Sequence, residues 1–364
     1  MTTEFTLEQL GWDAGWTEAH AAFAAAGLRP ARVIAVHRET SIVRDAAGDR
    51  PVAVSGAFRH AALAQADFPT VGDWVALDAA DVVAAVLPRR SVFKRMATDA
   101  SRRGNRIDDE QIMASNVDVA LLVAGLDNDF NLRRIERYLA VAWSSGVTPV
   151  VVLNKSDLAD DVDGRLVAVD AVAPGVAVVA VSARTGEGLD ALRALLRPGM
   201  TAAILGSSGV GKSTLVNALL GEDRQATGEV RESDSRGRHT TTHRELFELP
   251  GGALLVDTPG IRALVVLGAD EGVDAAFDDI VDIATTCRFS DCRHDGEPGC
   301  AVRAALADGR LTEERLASHR KLEREIARAA REGDPRARAE HRRTWKLISK
   351  SVDEHMQRKY GAER

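Results

Sequence analysis

Long apolar runs are absent from this 364-residue chain. No uncharged stretch reaches about 18 residues, which argues against a membrane-spanning helix. The first residues lack a basic segment followed by an apolar one, so no secretory leader is expected. Cysteine is scarce: there are 3, and Cys287, Cys292 and Cys300 crowd into one short segment. An odd, clustered set without a leader suggests metal ligation in a reducing cytosol, not disulfides. A positive excess is missing too, since the formal net charge is −7 and makes no general case for nucleic acid. No internal repeat is visible.

What is present is a globular composition, 45% hydrophobic and 28% charged, at a length that implies two or three domains. Charge is unevenly placed. Residues 302–364 hold 17 Lys and Arg against 11 Asp and Glu, whereas residues 31–97 hold 9 against 7. The first thirty residues contain an Ala-rich helical stretch, Trp16 to Ala26, ended by Gly27 and Pro30. Short apolar runs from Arg32 to about Val92, separated by turn-rich pieces, then predict a small antiparallel barrel. The polar stretch Val92 to Gln111 reads as a connector. From Asn116 strands and helices alternate, with strands at 117–124, 148–153, 176–181, 202–205 and 254–256, which implies a mostly parallel sheet under helices. Beyond Gly268 the pattern is helical, interrupted by the cysteine cluster and ending in long charged helices.

The chemistry sits at the strand ends. Gly206, Ser207, Ser208, Gly209, Val210, Gly211, Lys212, Ser213 and Thr214 follow an apolar strand and open a helix. That is the context a phosphate loop requires, with backbone N–H groups and a helix N-terminus facing the phosphates. Lys212 is expected on the β- and γ-phosphates and Ser213 on Mg²⁺. Asn154, Lys155 and Asp157 end an earlier strand, and Ser182-Ala183 ends another. The Asp157 carboxylate can accept from guanine N1–H and the 2-amino group, while adenine would leave it repelled and unpaired. Asn154 would brace the loop, the Lys155 stem would lie on the base, and an amide at Ser182-Ala183 could meet guanine O6. Taken alone, the Asn154 tetrapeptide could equally be a surface turn.

Asp257 and Gly260 form a later Asp-Thr-Pro-Gly, expected at Mg²⁺ through water and at the γ-phosphate. The polar loop before it holds His239 and Thr240-Thr241-Thr242. Spacing favours Thr241 as the Mg²⁺ ligand, with Thr240 and Thr242 as alternatives. Ile261 stands where many small GTPases carry a water-orienting glutamine. His239 is the nearest competent substitute, unless it is simply solvated, and intrinsic hydrolysis should be slow. The base-reading residues precede the phosphate loop, an inversion of the usual order that a circular permutation would produce.

Cys287, Cys292, His294 and Cys300 offer three thiolates and an imidazole, a set suited to a closed tetrahedral Zn²⁺ site. The metal would tie the free end left by the permutation to a stable body.

Together with Asp67-Phe-Pro-Thr-Val-Gly-Asp-Trp74, Leu87-Pro-Arg-Arg90, Arg238-His-Thr-Thr-Thr242 and Cys287-Arg-Phe-Ser-Asp-Cys292, the inverted signatures resemble the RsgA family of ribosome small-subunit-dependent GTPases. The resemblance covers residues 31–364. It implies an α/β P-loop GTPase domain, circularly permuted (98–267), after an OB-fold barrel (31–97) and before a zinc-binding helical domain (268–364). Residues 1–30 form an extension without an assigned role. It further implies GTP/GDP, Mg²⁺ and one Zn²⁺, and a cytoplasmic monomer, off the membrane. Its partner would be the 30S subunit, with its 16S rRNA and ribosomal proteins, late in maturation and at assembly-factor release. Barrel side chains Arg32, Arg44, Arg59, Arg89 and Arg90 are the candidate RNA contacts, or else a solvated rim. The barrel's few aromatics (Phe58, Phe68, Trp74, Phe93) favour phosphate contact over base stacking, with Trp74 placed in the core. Two rival readings are a permuted GTPase of large-subunit assembly and a zinc-dependent nucleic-acid-binding regulator.

Overall fold

The computed structural model describes residues 6–37, 40–96, 110–127, 129–222, 244–257 and 270–333. Helix α1 (Ala14–Ala25) begins at Asp13, whose side chain accepts from the Trp16 N–H at 2.9 Å. Strands β1 (Arg29–His37), β2 (Thr40–Asp45), β3 (Gly48–Val54), β4 (Trp74–Leu77) and β5 (Val82–Val86) follow, with helix α2 (Gly56–Ala61) between β3 and β4. The strand order β1-β2-β3-β5-β4 closes through a β1–β4 pairing into a five-stranded barrel. Ala31, Val33, Val43, Val52, Val75, Leu77 and Val83 fill it. Alternation of small apolar side chains on β1 serves that interior, while Ile34 on the opposite face joins the main core beyond.

The amino-terminal segment caps one barrel wall. Leu10 and Trp16 pack on Trp74, Ala76 and Leu87, and the Trp12 and Trp74 rings meet edge to face at 4.7 Å. Trp74 is fully buried, as its place in the core requires.

The two ends of the 92–111 stretch that lie within the described residues are strands. Strand β6 (Val92–Met96) pairs antiparallel with β7 (Glu110–Ser115), and Phe93 and Met113 are fully buried. The polar residues of this stretch mask an alternating pair of strands whose apolar faces join the main core.

The α/β body comprises β8 (Val119–Gly125), α3 (Leu132–Ser144), β9 (Thr148–Asn154), α4 (Val162–Asp170), β10 (Ala177–Val181), α5 (Leu189–Leu195), β11 (Thr201–Leu205), α6 (Lys212–Leu220), β12 (Arg244–Glu248) and β13 (Leu254–Asp257). The sheet runs β10-β9-β8-β11-β13-β12; its strands are parallel except β12. Near-continuous Val and Leu runs in β8 and β9 suit strands covered on both faces. Strand β11 lies at the centre although it comes fourth in the chain among these strands, so the 206–214 loop leaves the sheet between β8, which precedes it in sequence, and β13, which follows it. Strand β12 also pairs with β1 (Ala35 with Glu245, Val36 with Arg244), which joins the barrel to the sheet edge.

Helices α7 (Asp270–Ala276), α8 (Asp278–Thr285), α9 (Ala301–Ala307) and α10 (Glu313–Gly333) complete the described chain. Helix α7 packs on α3, α8 and α10 pack on α7, and Phe277, Leu316, Leu322 and Ile326 join the core cluster that α3 also lines. No described helix is long and apolar enough to cross a membrane.

Candidate functional site

The phosphate loop leaves β11 and enters α6 at the carboxyl edge of the sheet, where α/β proteins place ligands. Its glycines are needed for two separate reasons. A Cβ on Gly206 would meet the Val123 carbonyl oxygen at 2.6 Å, so the loop lies close against β8. Gly211 has φ +88°, and a Cβ there would meet Asn154 Nδ2 at 2.4 Å. Ser213 and Thr214 occupy the first turn of α6. Lys212 Nζ donates to the Gly206 carbonyl at 2.9 Å and to that of Ser207, so the ammonium lies over the loop.

Asn154, at the end of β9, joins the two halves. Its Nδ2 donates to the Val210 carbonyl at 2.8 Å and its Oδ1 accepts from the Ala183 N–H at 3.0 Å. The bracing expected of Asn154 thus reaches both the phosphate loop and the Ser182 loop. It also engages the Ala183 amide, so an O6 contact from that amide would have to share the hydrogen. Lys155 has a left-handed backbone (φ +67°) and sends Nζ to the Gly209 carbonyl at 2.7 Å and to Asp127. Asp157 accepts from Ser182 Oγ at 2.6 Å and Arg184 Nη2 at 2.5 Å. The Ser182 hydroxyl first, and Arg184 after it, hold this carboxyl below its ordinary range against the opposing effect of burial. Asp157 is therefore an anion near neutral pH.

The backbone of Asp257 ends β13, beside the phosphate-loop strand. His239, Thr241 and Gly260 lie outside the described residues, as do Thr240, Thr242 and Ile261.

The geometry brings residues separated by about fifty positions together, with Asn154–Asp157 at the end of β9, Ser182 and Ala183 after β10, and the 206–214 loop after β11. A family model described as RsgA GTPase matches residues 86–267. The chain is 49% identical over 358 residues to the small ribosomal subunit biogenesis GTPase RsgA of Opitutus terrae, covering 94% of this chain and 96% of that one. It is 45% identical to the protein of the same name from Streptomyces coelicolor, covering 93% and 92%. The chain belongs to the RsgA GTPase family. Its fold is also that of YjeQ from Thermotoga maritima, with a TM-score of 0.60 at 27% identity, over 82% of this chain and 99% of that one. YloQ, described as a circularly permuted GTPase, aligns with a TM-score of 0.58 at 22% identity, over 82% and 95%. As an RsgA-family member the chain is a GTPase of permuted topology.

The metal-ligating set converges as the spacing implied. One ligand atom from each of Cys287, Cys292, His294 and Cys300 lies within 4.8 Å of the others. His294 Nδ1 is 3.6 Å from Cys287 Sγ and 3.4 Å from Cys300 Sγ. A tetrahedron with Zn–S near 2.3 Å and Zn–N near 2.1 Å has edges of about 3.6 Å between N and S. The donors fit zinc on those two edges. Backbone N–H groups of Ala301 (3.3 Å to Cys287 Sγ) and Arg303 (3.4 Å to Cys300 Sγ) face the sulfurs from the start of α9. For Cys287, burial raises the pKa, but the N–H groups of Val302 and Ala301 together with the Cys292 and Cys300 thiols leave the thiol below its usual value.

The barrel arginines separate into distinct classes. Arg32 is buried, with Nη1 donating to the Leu10 carbonyl at 2.6 Å and Nη2 to Asn116 O at 3.1 Å and Thr201 Oγ1 at 3.0 Å. Arg89 forms a fork on the fully buried Asp73, 2.7 Å on each arm, and donates also to Ala66 and Phe68 carbonyls. Both Nη groups of Arg32 and the donors of Arg89 named above are thus engaged inside the protein. Arg44 pairs with Asp49 at 2.5 Å, and Arg90 pairs with Asp13 while lying 4.1 Å over the Trp16 ring. Arg59 is exposed in the last turn of α2.

Proposed function

We propose that this chain binds and hydrolyses GTP across Asn154–Asp157, Ser182–Ala183 and the 206–214 loop, and that its nucleotide state times residence on the maturing small ribosomal subunit. The observation that carries the reading is the Asn154 bridge, which fixes the purine-recognition loop to the phosphate loop. Asp157 selects guanine through its two acceptors, and the Lys155 stem lines the base. Lys212 exchanges the loop carbonyls for β- and γ-phosphoryl oxygens, while loop N–H groups and the start of α6 face the remaining oxygens.

Ser213 and Thr241 would hold Mg²⁺ directly and Asp257 through water, and Gly260 would face the γ-phosphate. When bound, the metal neutralises charge on the β- and γ-phosphoryl oxygens. His239 is the candidate for orienting water. The Cys287, Cys292, His294 and Cys300 set would hold a structural Zn²⁺ that fixes residues 287–300 beside α8 and α9. The barrel would meet rRNA phosphates through Arg59 foremost, which is exposed, with Arg90 released from an ion pair that water already screens and the less exposed Arg44 released from Asp49. A cytoplasmic site of action accords with such a partner.

The test is GTP turnover by the full chain alone, with purified small subunits and with large subunits. Acceleration by small subunits only is expected. Equal turnover in all three would overturn the ribosomal part of the proposal.

A further inference from the structure

Helix α3 carries an arginine that the sequence motifs do not mark. Arg134 sits in its first turn, where its N–H donates at 3.2 Å to the capping side chain of Asn131. Its Nη1 lies 2.5 Å from Asp129 Oδ2 and 2.7 Å from Ser207 Oγ, and Ser207 Oγ donates to the same Asp129 oxygen at 2.6 Å. Ser207 belongs to the phosphate loop, and its carbonyl accepts Lys212 Nζ. One loop residue is therefore met by two cations, a lysine at its carbonyl and an arginine at its hydroxyl.

We propose that Arg134, held by Asp129 against Ser207, is a further phosphate-contacting residue of the hydrolytic reaction. The inference rests on the GTPase reading of this site. In the reaction a water oxygen bonds to the γ-phosphorus, the bond to the β–γ bridging oxygen breaks with its electron pair staying on GDP, and one proton of the attacking water passes to the phosphate product or to solvent. Negative charge spreads over the γ-oxygens and the leaving oxygen, and a guanidinium supplied in cis is one known way to meet it. Arg134 is suited to this in three respects. Its planar fork matches phosphoryl oxygens. Its side chain is one-third exposed, so it is free to leave Asp129 for a stronger anion. The helix behind it is fixed, because Glu136, two residues on, is a buried partner of Arg315 and Ser318. An ordinary surface ion pair would explain Arg134 with Asp129, but not the hydrogen bond into the loop. Asp129 is then a positioning residue that keeps the guanidinium beside the site before nucleotide arrives.

The test compares Arg134→Ala, Arg134→Lys and, as control, Arg137→Ala, an arginine of the same helix whose partner is Glu325 of α10 at 3.0 Å. Affinities for GDP and for a non-hydrolysable GTP analogue are measured on the full chain, with single-turnover GTP hydrolysis. Arg134→Ala is expected to leave GDP affinity within about twofold, to weaken the analogue about tenfold or more, and to slow hydrolysis by about 10²-fold, the scale for removing one charge-stabilising donor. Arg134→Lys should restore part of the loss and Arg137→Ala should change nothing. Equal weakening of GDP and analogue would show a structural role, and unchanged analogue affinity and rate would show none; either overturns the proposal. If the unaltered chain failed to hydrolyse GTP, the GTPase reading would fail, and the GDP-against-analogue comparison would still decide whether Arg134 meets the third phosphate.

Discussion

Glu136 on α3 and Arg315 on α10 form a buried ion pair at 2.9 Å, with side chains 1% and 6% exposed. Ser318 donates to the other Glu136 oxygen, and Arg315 continues to Asp279 at 2.8 Å and the Ala276 carbonyl at 2.9 Å. This cluster fastens the carboxyl-terminal helices to the GTPase body. Removing one partner strands the other charge in a dry site. Arg315→Ala is therefore expected to lower stability by about 3–5 kcal/mol, while Glu136→Gln with Arg315→Met should cost less than either single change. Urea unfolding measures both. A loss below about 1 kcal/mol for Arg315→Ala would mean that the pair does not hold the two parts together.

Arg32 acts as a second fastener, without a carboxylate in hydrogen-bond contact. Its guanidinium serves carbonyls from the amino-terminal segment and the GTPase body, and stacks 5.1 Å over Trp74. Burial pulls its pKa down to about 10, partly opposed by Asp118 and Asp73, so it stays charged near neutral pH. Arg32→Met should leave three acceptors without their donor and cost at least about 2 kcal/mol, whereas Arg59→Ala should be neutral for stability. Thermal unfolding of the two variants provides the comparison. RNA affinity should follow the opposite order.

Acid should loosen the amino-terminal cap. The Arg90 guanidinium holds the Asp13 carboxyl down to about 2, against a value near 3.8 in an unfolded chain. A depressed folded pKa means the stabilisation is complete above the unfolded value and is lost as pH falls from about 4 through 2. The pair is half exposed, so its contribution is below about 1 kcal/mol and weakens with salt. Hydrogen exchange at the Trp16 amide, which donates to Asp13, should accelerate across that window beyond the intrinsic pH effect. Asp13→Asn should abolish the excess.

Zinc should be stoichiometric and structural. Elemental analysis is expected to find one Zn²⁺ per chain, and chelation should lower the melting temperature and deprotect residues 287–300 and α9. Cys292→Ser should reproduce this with nucleotide binding retained. A metal-free chain of unchanged stability would contradict the assignment.

Much of the α/β body was legible because its strands are buried on both faces and read as unbroken Val and Leu runs. The phosphate loop and the Asn154 loop could be placed by the strands that precede them. Strands β2 and β12 were less visible, since Thr-Ser-Ile-Val-Arg-Asp and Arg-Glu-Leu-Phe-Glu carry few apolar residues and depend on pairing partners supplied by the fold. The β6–β7 pair was hidden by its polar composition.

Side-chain destinations were harder still. Arg32 follows Ala31 on a strand whose two faces both become buried, one by the barrel and one by the GTPase body, a circumstance no local pattern records. Arg89 is next to Arg90 in sequence, yet only one meets a buried carboxylate. Arg134 and Asp129 fall outside every nucleotide-binding signature, and only the approach of α3 to the phosphate loop exposes them.

Nucleotide choice tests the central claim most directly. Asp157→Asn replaces a double acceptor by an amide that can donate to the 2-oxo group of xanthine. Binding of GTP, ATP and XTP to the original chain and this variant should show GTP preferred by the first and XTP by the second, with Lys212→Ala weakening all three. Equal binding of GTP and ATP by the original chain, or a variant still selective for GTP, would contradict a pocket in which Asp157 reads the purine and the 206–214 loop grips its phosphates.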